Sequence, residues 1–185
     1  MPKYRRIRRY RRKSGRWAPS IVKISSQNQA DPGEWFNYET LAENPIQVSS
    51  GVAQVFTVKN FEITFTIEVG SFTDLAGNNL ESITAYIMYV PQGMNITSNY
   101  FLEHPEYIMN YRYLGSPSTP GAVSSGGSTY VRENQQYQPF KMKTRLSRKL
   151  QTGDKVILFI QGSNSTTSSK NYNIDGIVRW WSKAN

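Results

Sequence analysis

The stretch VKNFEITFTIEV, residues 58–69, carries the clearest strand pattern in the chain. Its apolar residues of one parity are Phe61, Ile63, Phe65, Ile67 and Val69. Because successive side chains of a strand point to opposite faces, this alternation predicts a strand with one buried and one wet face. Upstream, Val52, Phe56 and Val58 occupy even positions instead. The switch of parity predicts a bulge or a break at Lys59-Asn60.

Similar but shorter patterns occur on both sides of this stretch. They predict strands at residues 21–24, 83–90, 107–114, 129–132, 140–146, 156–161 and 174–182, separated by turn-rich segments. Residues 26–50 look polar and irregular, and only residues 40–43 and 98–103 could form a helical turn. Eight strands with few helices and long polar loops favour an all-β fold, a single eight-stranded antiparallel jelly-roll sandwich.

Some predicted strands are apolar on both faces, notably residues 83–90 and 156–160. A two-layer sandwich in isolation leaves one face of each strand wet. Two explanations stay open: coverage by loops of the same chain, or coverage by neighbouring subunits. In the last strand we expect Trp180 to pack in the core. Trp181 beside Arg179 is then left for an interface or a nucleic-acid base, unless both tryptophans are core residues.

The net charge of +9 is concentrated at the N-terminus. The first sixteen residues contain nine basic residues and no acidic one, which leaves 13 basic and 13 acidic residues in the rest of the 185-residue chain. The basic residues are Lys3, Arg5, Arg6, Arg8, Arg9, Arg11, Arg12, Lys13 and Arg16. We therefore divide the chain into a basic arm, residues 1–17, and one sandwich domain, residues 18–185, a length that suits a single core.

The composition of the arm points to a polyanionic partner. Charge repulsion at this density opposes folding, so we expect the isolated arm to be disordered. Arginine grips phosphates with two hydrogen bonds, and Tyr4, Tyr10 and Trp17 offer flat faces to unpaired bases. These features favour single-stranded nucleic acid bound without sequence preference. The same residues suit a nuclear localisation signal. The alternative is a solubilising basic tail with no dedicated binding role.

A second basic segment, KMKTRLSRK, spans residues 141–149. Alternation predicts Lys141, Lys143 and Arg145 on one strand face, opposite Met142, Thr144 and Leu146. This face could be solvated, could form an inner wall that supplements the arm, or could make salt bridges between subunits. Together with Arg179 and Trp181, these three residues form our candidate inner-wall or interface set.

Signals for catalysis are weak. The chain has no cysteine and a single histidine, His104, and it lacks the common nucleophile and phosphate-loop motifs. Glu62 and Glu68 would lie ~20 Å apart on a strand, well beyond the ~5–9.5 Å of a glycosidase pair. We expect no enzyme activity, no cofactor and no metal. We also expect no secretory signal and no membrane partner, since no apolar run approaches the roughly 20 residues of a membrane span.

Six stretches together resemble a known family. They are the Arg/Tyr-rich arm, VKNFEITFTIEV (58–69), ESITAYIMYVPQG (81–93), HPEYIMNYRYLGSP (104–117), KTRLSRKLQTGDKVILFIQG (143–162) and DGIVRWWSKAN (175–185). They cover roughly half the chain and occur in order along its length. The chain resembles the capsid proteins of circular single-stranded DNA viruses that encode a replication initiator, the circoviruses and their unclassified relatives.

The resemblance implies a jelly-roll subunit, with strands lettered B to I, that assembles into a T=1 icosahedral shell of about sixty copies. The arm would face inward on the single-stranded DNA genome, and loops would build the exterior. Expected partners are other copies of the chain, the genome, a nuclear import receptor and a host attachment receptor that the residues do not identify. Expected locations are the virion and, during assembly, the host nucleus. The alternatives are a non-viral basic-armed nucleic-acid-binding protein and a jelly-roll lectin.

Overall fold

The computed structural model describes residues 16–44, 55–69, 80–115, 122–125, 128–131, 139–165 and 167–184. The strands are β1 (Ala18–Ala30), β2 (Gly33–Glu43), β3 (Phe56–Val69), β4 (Leu80–Val90), β5 (Ile108–Gly115), β6 (Ala122–Ser125), β7 (Ser128–Val131), β8 (Phe140–Leu150), β9 (Lys155–Asn164) and β10 (Lys170–Ala184). A four-residue helix, α1 (Tyr100–Glu103), and a 3-10 turn (Pro105–Tyr107) lie between β4 and β5. No helix in these ranges is long and apolar enough to cross a membrane.

Eight strands form two four-stranded antiparallel sheets. The first sheet has the order β1-β10-β3-β8 and the second has the order β2-β9-β4-β5, while β6 and β7 form a separate ribbon. Lettering the eight strands B to I in chain order, without the ribbon, gives the sheets B-I-D-G and C-H-E-F. This strand order is that of a jelly roll. The predicted fold class, an eight-stranded antiparallel jelly-roll sandwich, is confirmed.

The parity switch in the opening stretch corresponds to a bulge. The register between β3 and β8 shifts between Lys59 and Phe61, and Asn60 adopts a φ of 54°. A non-glycine residue in this left-handed region is uncommon, and asparagine is among the types that tolerate it. The predicted bulge at Lys59-Asn60 is therefore confirmed, and it lets apolar residues on both sides of it point into the core.

Several predictions for the N-terminal third are wrong. Residues 26–43 are not irregular, because β1 continues to Ala30 and β2 occupies Gly33–Glu43, so residues 40–43 are strand and not helix. Both strands lie at sheet edges, where only part of each strand is buried and the apolar alternation is weak. Further along the chain, the strand predicted at residues 129–132 is present as β7, but it belongs to the separate ribbon, and the eighth strand of the sandwich is the unpredicted β2.

The C-terminal and loop predictions need smaller changes. The predicted helical turn within residues 98–103 is confirmed as α1. The small, polar composition of residues 115–128 and 162–173 predicts flexible loops, but residues 122–125 form β6, and much of 162–173 belongs to the ends of β9 and β10. Some of residues 115–128, and the apolar residue at position 52, lie outside the described residues.

The structure contains two apolar clusters. The larger one fills the space between the sheets and includes Phe61, Phe65, Ile87 and Leu158. The smaller one lies on the outer side of the second sheet, where Tyr86 and Phe159 point away from the main core. Residues 91–107, which we call the cover, pack over this second cluster with the fully buried Tyr100 at its centre.

The cover decides between the two explanations for the doubly apolar strands. In β9, five consecutive residues from Val156 to Ile160 are 0–1% exposed. Their odd members face the cover and their even members face the main core. Burial on both faces is thus achieved within one chain, without a neighbouring subunit.

Candidate nucleic-acid interface

The outer side of the first sheet has no cover in the described part of the chain, and we call it the open face. Two rows of directly paired residues cross it. The first row is Ile21, Arg179, Glu62 and Lys143, and the second is Lys23, Ile177, Thr64 and Lys141. Because directly paired residues of antiparallel strands project from the same side, β8 and β10 present their basic residues on one surface.

The open face is enriched in positive charge. Its basic residues are Lys23, Lys59, Lys141, Lys143, Arg145, Lys149, Arg179 and Lys183, and its acidic residues are Glu62, Glu68 and Asp175. Residues 17–185 as a whole are electrically balanced. The sandwich therefore concentrates its basic residues on the side that also carries the start of the arm.

The described end of the arm lies against the open face. Arg16 is exposed, and β1 begins two residues later, with Pro19 paired to Trp181. The Lys59 Nζ lies 3.8 Å from the centre of the Trp17 ring. A cation over an indole face at this distance is attractive. The other predicted nucleic-acid-binding residues of the arm, from Lys3 to Lys13, lie outside the described residues.

The two neighbouring tryptophans of β10 divide between the two sides of the sheet. Trp180 is 9% exposed and stacks on Phe61 with ring centres 6.0 Å apart. Trp181 is half-buried on the open face, and the guanidinium carbon of Arg179 lies 4.8 Å from its ring centre. The interpretation in which both tryptophans are core residues is wrong, since only Trp180 belongs to the core cluster.

The three predicted basic residues of β8 are exposed, and their strand is held from the neighbouring sheet. The Asn110 side chain donates a hydrogen bond to the Lys143 carbonyl at 2.6 Å. The Arg112 guanidinium donates another to the Lys141 carbonyl at 2.7 Å. Both donors belong to β5, so the edge of β8 is fixed although its lysine side chains reach solvent.

One of these cations already has a partner. The Lys143 Nζ lies 3.0 Å from a Glu62 carboxylate oxygen, in a pair that is largely solvent-exposed. Lys141 and Arg145 have no ion pair among the described residues. Leu146, which alternation places on the same face as Met142, is 52% exposed where β8 passes the bulge at Asn60.

The candidate set omitted four cations of the open face, Lys23, Lys59, Lys149 and Lys183. Their strands were recognised only in part, and the alternation within one strand does not reveal which strands will be neighbours. The polar residues that alternate with the apolar ones in β3 were the sequence signal for this exposed side of the strand. The register of β10 with β3 pairs Trp181 with Lys59. This pairing, which no single strand pattern contains, places Lys59 next to the start of the arm.

The open face carries basic residues and aromatic rings at the point where the basic arm joins β1. Lysine and arginine can neutralise phosphates without reading sequence. Trp17 and Trp181 supply indole faces of the type on which unpaired bases stack. The arrangement can thus hold an extended single strand through its backbone and occasional bases.

The single histidine, His104, contacts two neighbouring side chains of the cover. The His104 ring stacks on Tyr107 with centres 5.1 Å apart, and its Nδ1 lies 3.3 Å from a Glu106 carboxylate oxygen. Within the described ranges, no three His, Cys, Asp or Glu side chains converge as a metal site would require.

Comparison with known proteins gives structural likenesses only. No family model matches the chain, and no curated protein matches its sequence. Solved structures that are similar to it include the 60-mer of the beak and feather disease virus (BFDV) capsid protein, with a TM-score of 0.38 and 9% identity over 92% of this chain and 94% of that one. The decameric BFDV capsid protein matches with the same TM-score and identity, over 92% of this chain and 99% of that one.

A third similar structure is that of the infectious bursal disease virus Gx strain, with a TM-score of 0.38 and 9% identity over 91% of this chain. The present chain spans about a third, 32%, of the length of that protein. At these values the jelly-roll assignment rests on the chain's own strand order.

Proposed function

We propose that the chain is the coat protein of a circovirus-like single-stranded DNA virus. It assembles with itself into a small T=1 icosahedral shell and packages circular single-stranded DNA through residues 1–17. The observation that carries this proposal is the continuity of the arm with the open face of a jelly roll, seen where Lys59 lies over Trp17. The sequence resemblance described above supports the same conclusion.

The charge distribution supports packaging from one side. The nine basic residues of the arm and the basic residues of the open face would meet the genome together. About sixty copies could then neutralise several hundred phosphates, and the interaction would weaken steeply with salt because each contact releases counterions. In this arrangement the open face, with Lys141, Lys143, Arg145, Arg179 and Trp181, forms the inner wall of the shell.

Exposed apolar side chains support self-association. Tyr111 and Tyr113 are 66% and 64% exposed on the edge strand β5. Soluble monomers seldom expose many such residues close together, and contacts between subunits would bury them. We assign Tyr111 and Tyr113, which lie on the second sheet and not on the open face, to contacts between copies of the chain.

Particle mass tests assembly. The purified full chain should sediment as a particle of about sixty times the 21.2 kDa subunit mass, with hollow shells in electron micrographs. A stable monomer at physiological salt and high protein concentration would overturn the coat-protein assignment and leave a basic-armed nucleic-acid-binding protein or a lectin.

Arm variants test packaging. Replacement of all nine basic residues among positions 1–16 by glutamine should remove the nucleic-acid absorbance of purified particles, since the charge of the arm is lost. A matched control keeps the composition of residues 1–16 and scrambles their order, and it should still package. Normal nucleic-acid content in the glutamine variant would move the packaging role away from the arm.

Nuclear entry during assembly belongs to the same proposal, because basic arms of this kind are recognised by import receptors. Residues 1–17 fused to a reporter should carry it into the nucleus, and the glutamine arm should not. A reporter that stays in the cytoplasm would remove this part of the proposal while leaving packaging untouched.

A further inference from the structure

A cleft of about 360 Å³ opens at the end of the second sheet, where β2 and β4 begin and β9 ends. Its lining includes Glu34, Ser82, Asn99, Phe101, Gln161 and Ser163. They come from three strands and from the cover, so the cleft exists only because the cover folds over the second sheet. Its volume lies at the lower end of the ~300–1,000 Å³ that is typical of small-molecule sites.

One feature of the cleft is unusual for a simple surface hollow. Ser82 has a φ of 53°, at the register shift of β4 against β9 between Glu81 and Thr84. Backbone in this region is strained for a serine, and such strain clusters at binding sites.

The side chains that line the cleft define the chemistry of a ligand. The polar groups are one carboxylate, two amides and three hydroxyls, from Glu34, Asn99, Gln161, Ser82, Ser98 and Ser163. Phe101 and the 66% exposed Leu102 supply an apolar wall. Among the described residues, no Lys, Arg or His lines the cleft, so the described lining offers no side-chain cation to a phosphate, sulfate or carboxylate.

We propose that this cleft binds a neutral monosaccharide unit. Sugar hydroxyls both donate and accept hydrogen bonds, which suits a carboxylate and amides that converge from different elements. Glu34 has no ion pair among the described residues, and the Asn99 side chain makes no capping bond to α1. The apolar face of a pyranose ring packs on an aromatic side chain such as Phe101.

The position of the cleft separates it from the nucleic-acid interface. The cover lies on the outer side of the second sheet, whereas the open face lies on the outer side of the first sheet. All lining residues belong to one subunit, so this proposal does not depend on the proposed assembly. A bound sugar would sit on the side of the sandwich opposite to the bound strand.

Saturation-transfer NMR on the full-length protein tests the proposal, with the neutral methyl glycosides of glucose, galactose, mannose, fucose and N-acetylglucosamine as probes. At least one glycoside should bind saturably. Glu34→Gln and Asn99→Ala should each weaken it by roughly fivefold, the effect of losing one hydrogen bond. Asn171→Ala, which changes an exposed asparagine of β10 outside the cleft, should leave binding unchanged.

Several results would overturn the proposal. They are the absence of binding by all five glycosides, equal binding by both cleft variants and the wild-type chain, or binding of sulfated oligosaccharides alone. Circular dichroism checks that each variant is folded. Glu34→Gln changes a carboxylate to an amide of the same shape. If Asn99→Ala is destabilised, the result for Glu34→Gln alone decides the test.

Discussion

The outer sides of the two sheets differ although their central strands occupy equivalent places. On the second sheet, Tyr86 and Phe159 lie beneath the cover and are almost inaccessible to solvent. On the first sheet, Ile177 and Arg179 face outward with nothing described above them. One side is closed by the chain itself, and the other stays available for a partner. Double-sided burial is therefore no sign of a subunit contact here, whereas uncovered charge and rings are signs of a ligand surface.

The largest expected difference is in the free energy of unfolding, between a change at Phe159 of β9 and a change at Ile177 of β10. Each residue lies on the outer side of its sheet. Phe159→Ala removes a fully buried ring in contact with Phe36, Tyr86 and Phe101, and should lower the free energy of unfolding by about 3–5 kcal/mol. Ile177→Ala, on the open face, should lower it by about 0.5 kcal/mol or less. Urea unfolding of the full chain in high salt measures both, and equal losses would show that the cover does not seal the second sheet.

Measuring stability as a function of pH tests the cover without creating a cavity by mutation. Burial, together with the nearby Tyr107 and Glu106, raises the pKa of Tyr100 to about 12 from its usual value of 10.0. Burial and a 2.6 Å hydrogen bond to Asp154 also raise the pKa of Tyr89. The fold favours the protonated phenols, so the stability they contribute is complete below pH 10 and is lost as the pH rises toward 12.

Absorbance titration of the phenolate detects these groups directly. Tyr100→Phe should remove one late-titrating tyrosine and reduce the loss of stability between pH 10 and 12. If Tyr100 titrates near pH 10 in the folded chain, the cover is open to solvent and the contrast between the two sides is weaker than described.

Nucleic-acid affinity probes the open face. The triple change of Lys141, Lys143 and Arg145 to glutamine should weaken binding of a single-stranded oligonucleotide by about tenfold at physiological salt. It should also reduce the slope of log affinity against log salt by about 2, the value for three lost phosphate contacts. Lys155→Gln, a change on β9 of the second sheet, is the control and should have less than about a twofold effect. Equal slopes for the triple variant and the control would confine binding to the arm.

The smallest effect concerns the ion pair within the open face. Glu62→Gln removes the partner of Lys143 but leaves the strand intact. Because exposed ion pairs contribute about 0–1 kcal/mol, stability should change by less than about 0.5 kcal/mol. Oligonucleotide affinity should rise slightly, since a repulsive carboxylate is gone. A fall in affinity would mean that Glu62 positions Lys143 for the ligand.

Much of this architecture could be predicted where alternation is strong. The β3 pattern, its bulge at Asn60 and the doubly apolar β9 were all visible because each depends on neighbouring residues in one strand. The edge strands were not, since the polar run Ser25–Gln29 of β1 resembles a loop when no sheet partner is known. The cover was missed for a different reason: α1 is one turn long, and its packing on Tyr86 and Phe159 is a tertiary contact.

The candidate site was predictable in parts and not as a surface. Lys141, Lys143 and Arg145 could be placed on one face from their spacing, and Arg179 could be placed beside Trp181. That these two groups share a face follows from the register of β10 with β3 and of β3 with β8. Lys59 and Trp17 meet through the same register, which no single strand pattern contains.

Ultraviolet cross-linking of the full-length protein to a single-stranded oligonucleotide, followed by mass spectrometry of the linked peptides, tests most directly which side of the sandwich binds nucleic acid. We predict cross-links at the arm and at Trp17 and Trp181, with none at Tyr111 or Tyr113 on the second sheet. Cross-links concentrated on Tyr111 and Tyr113, with Trp17 and Trp181 unmodified, would contradict the assignment of the open face as the inner wall.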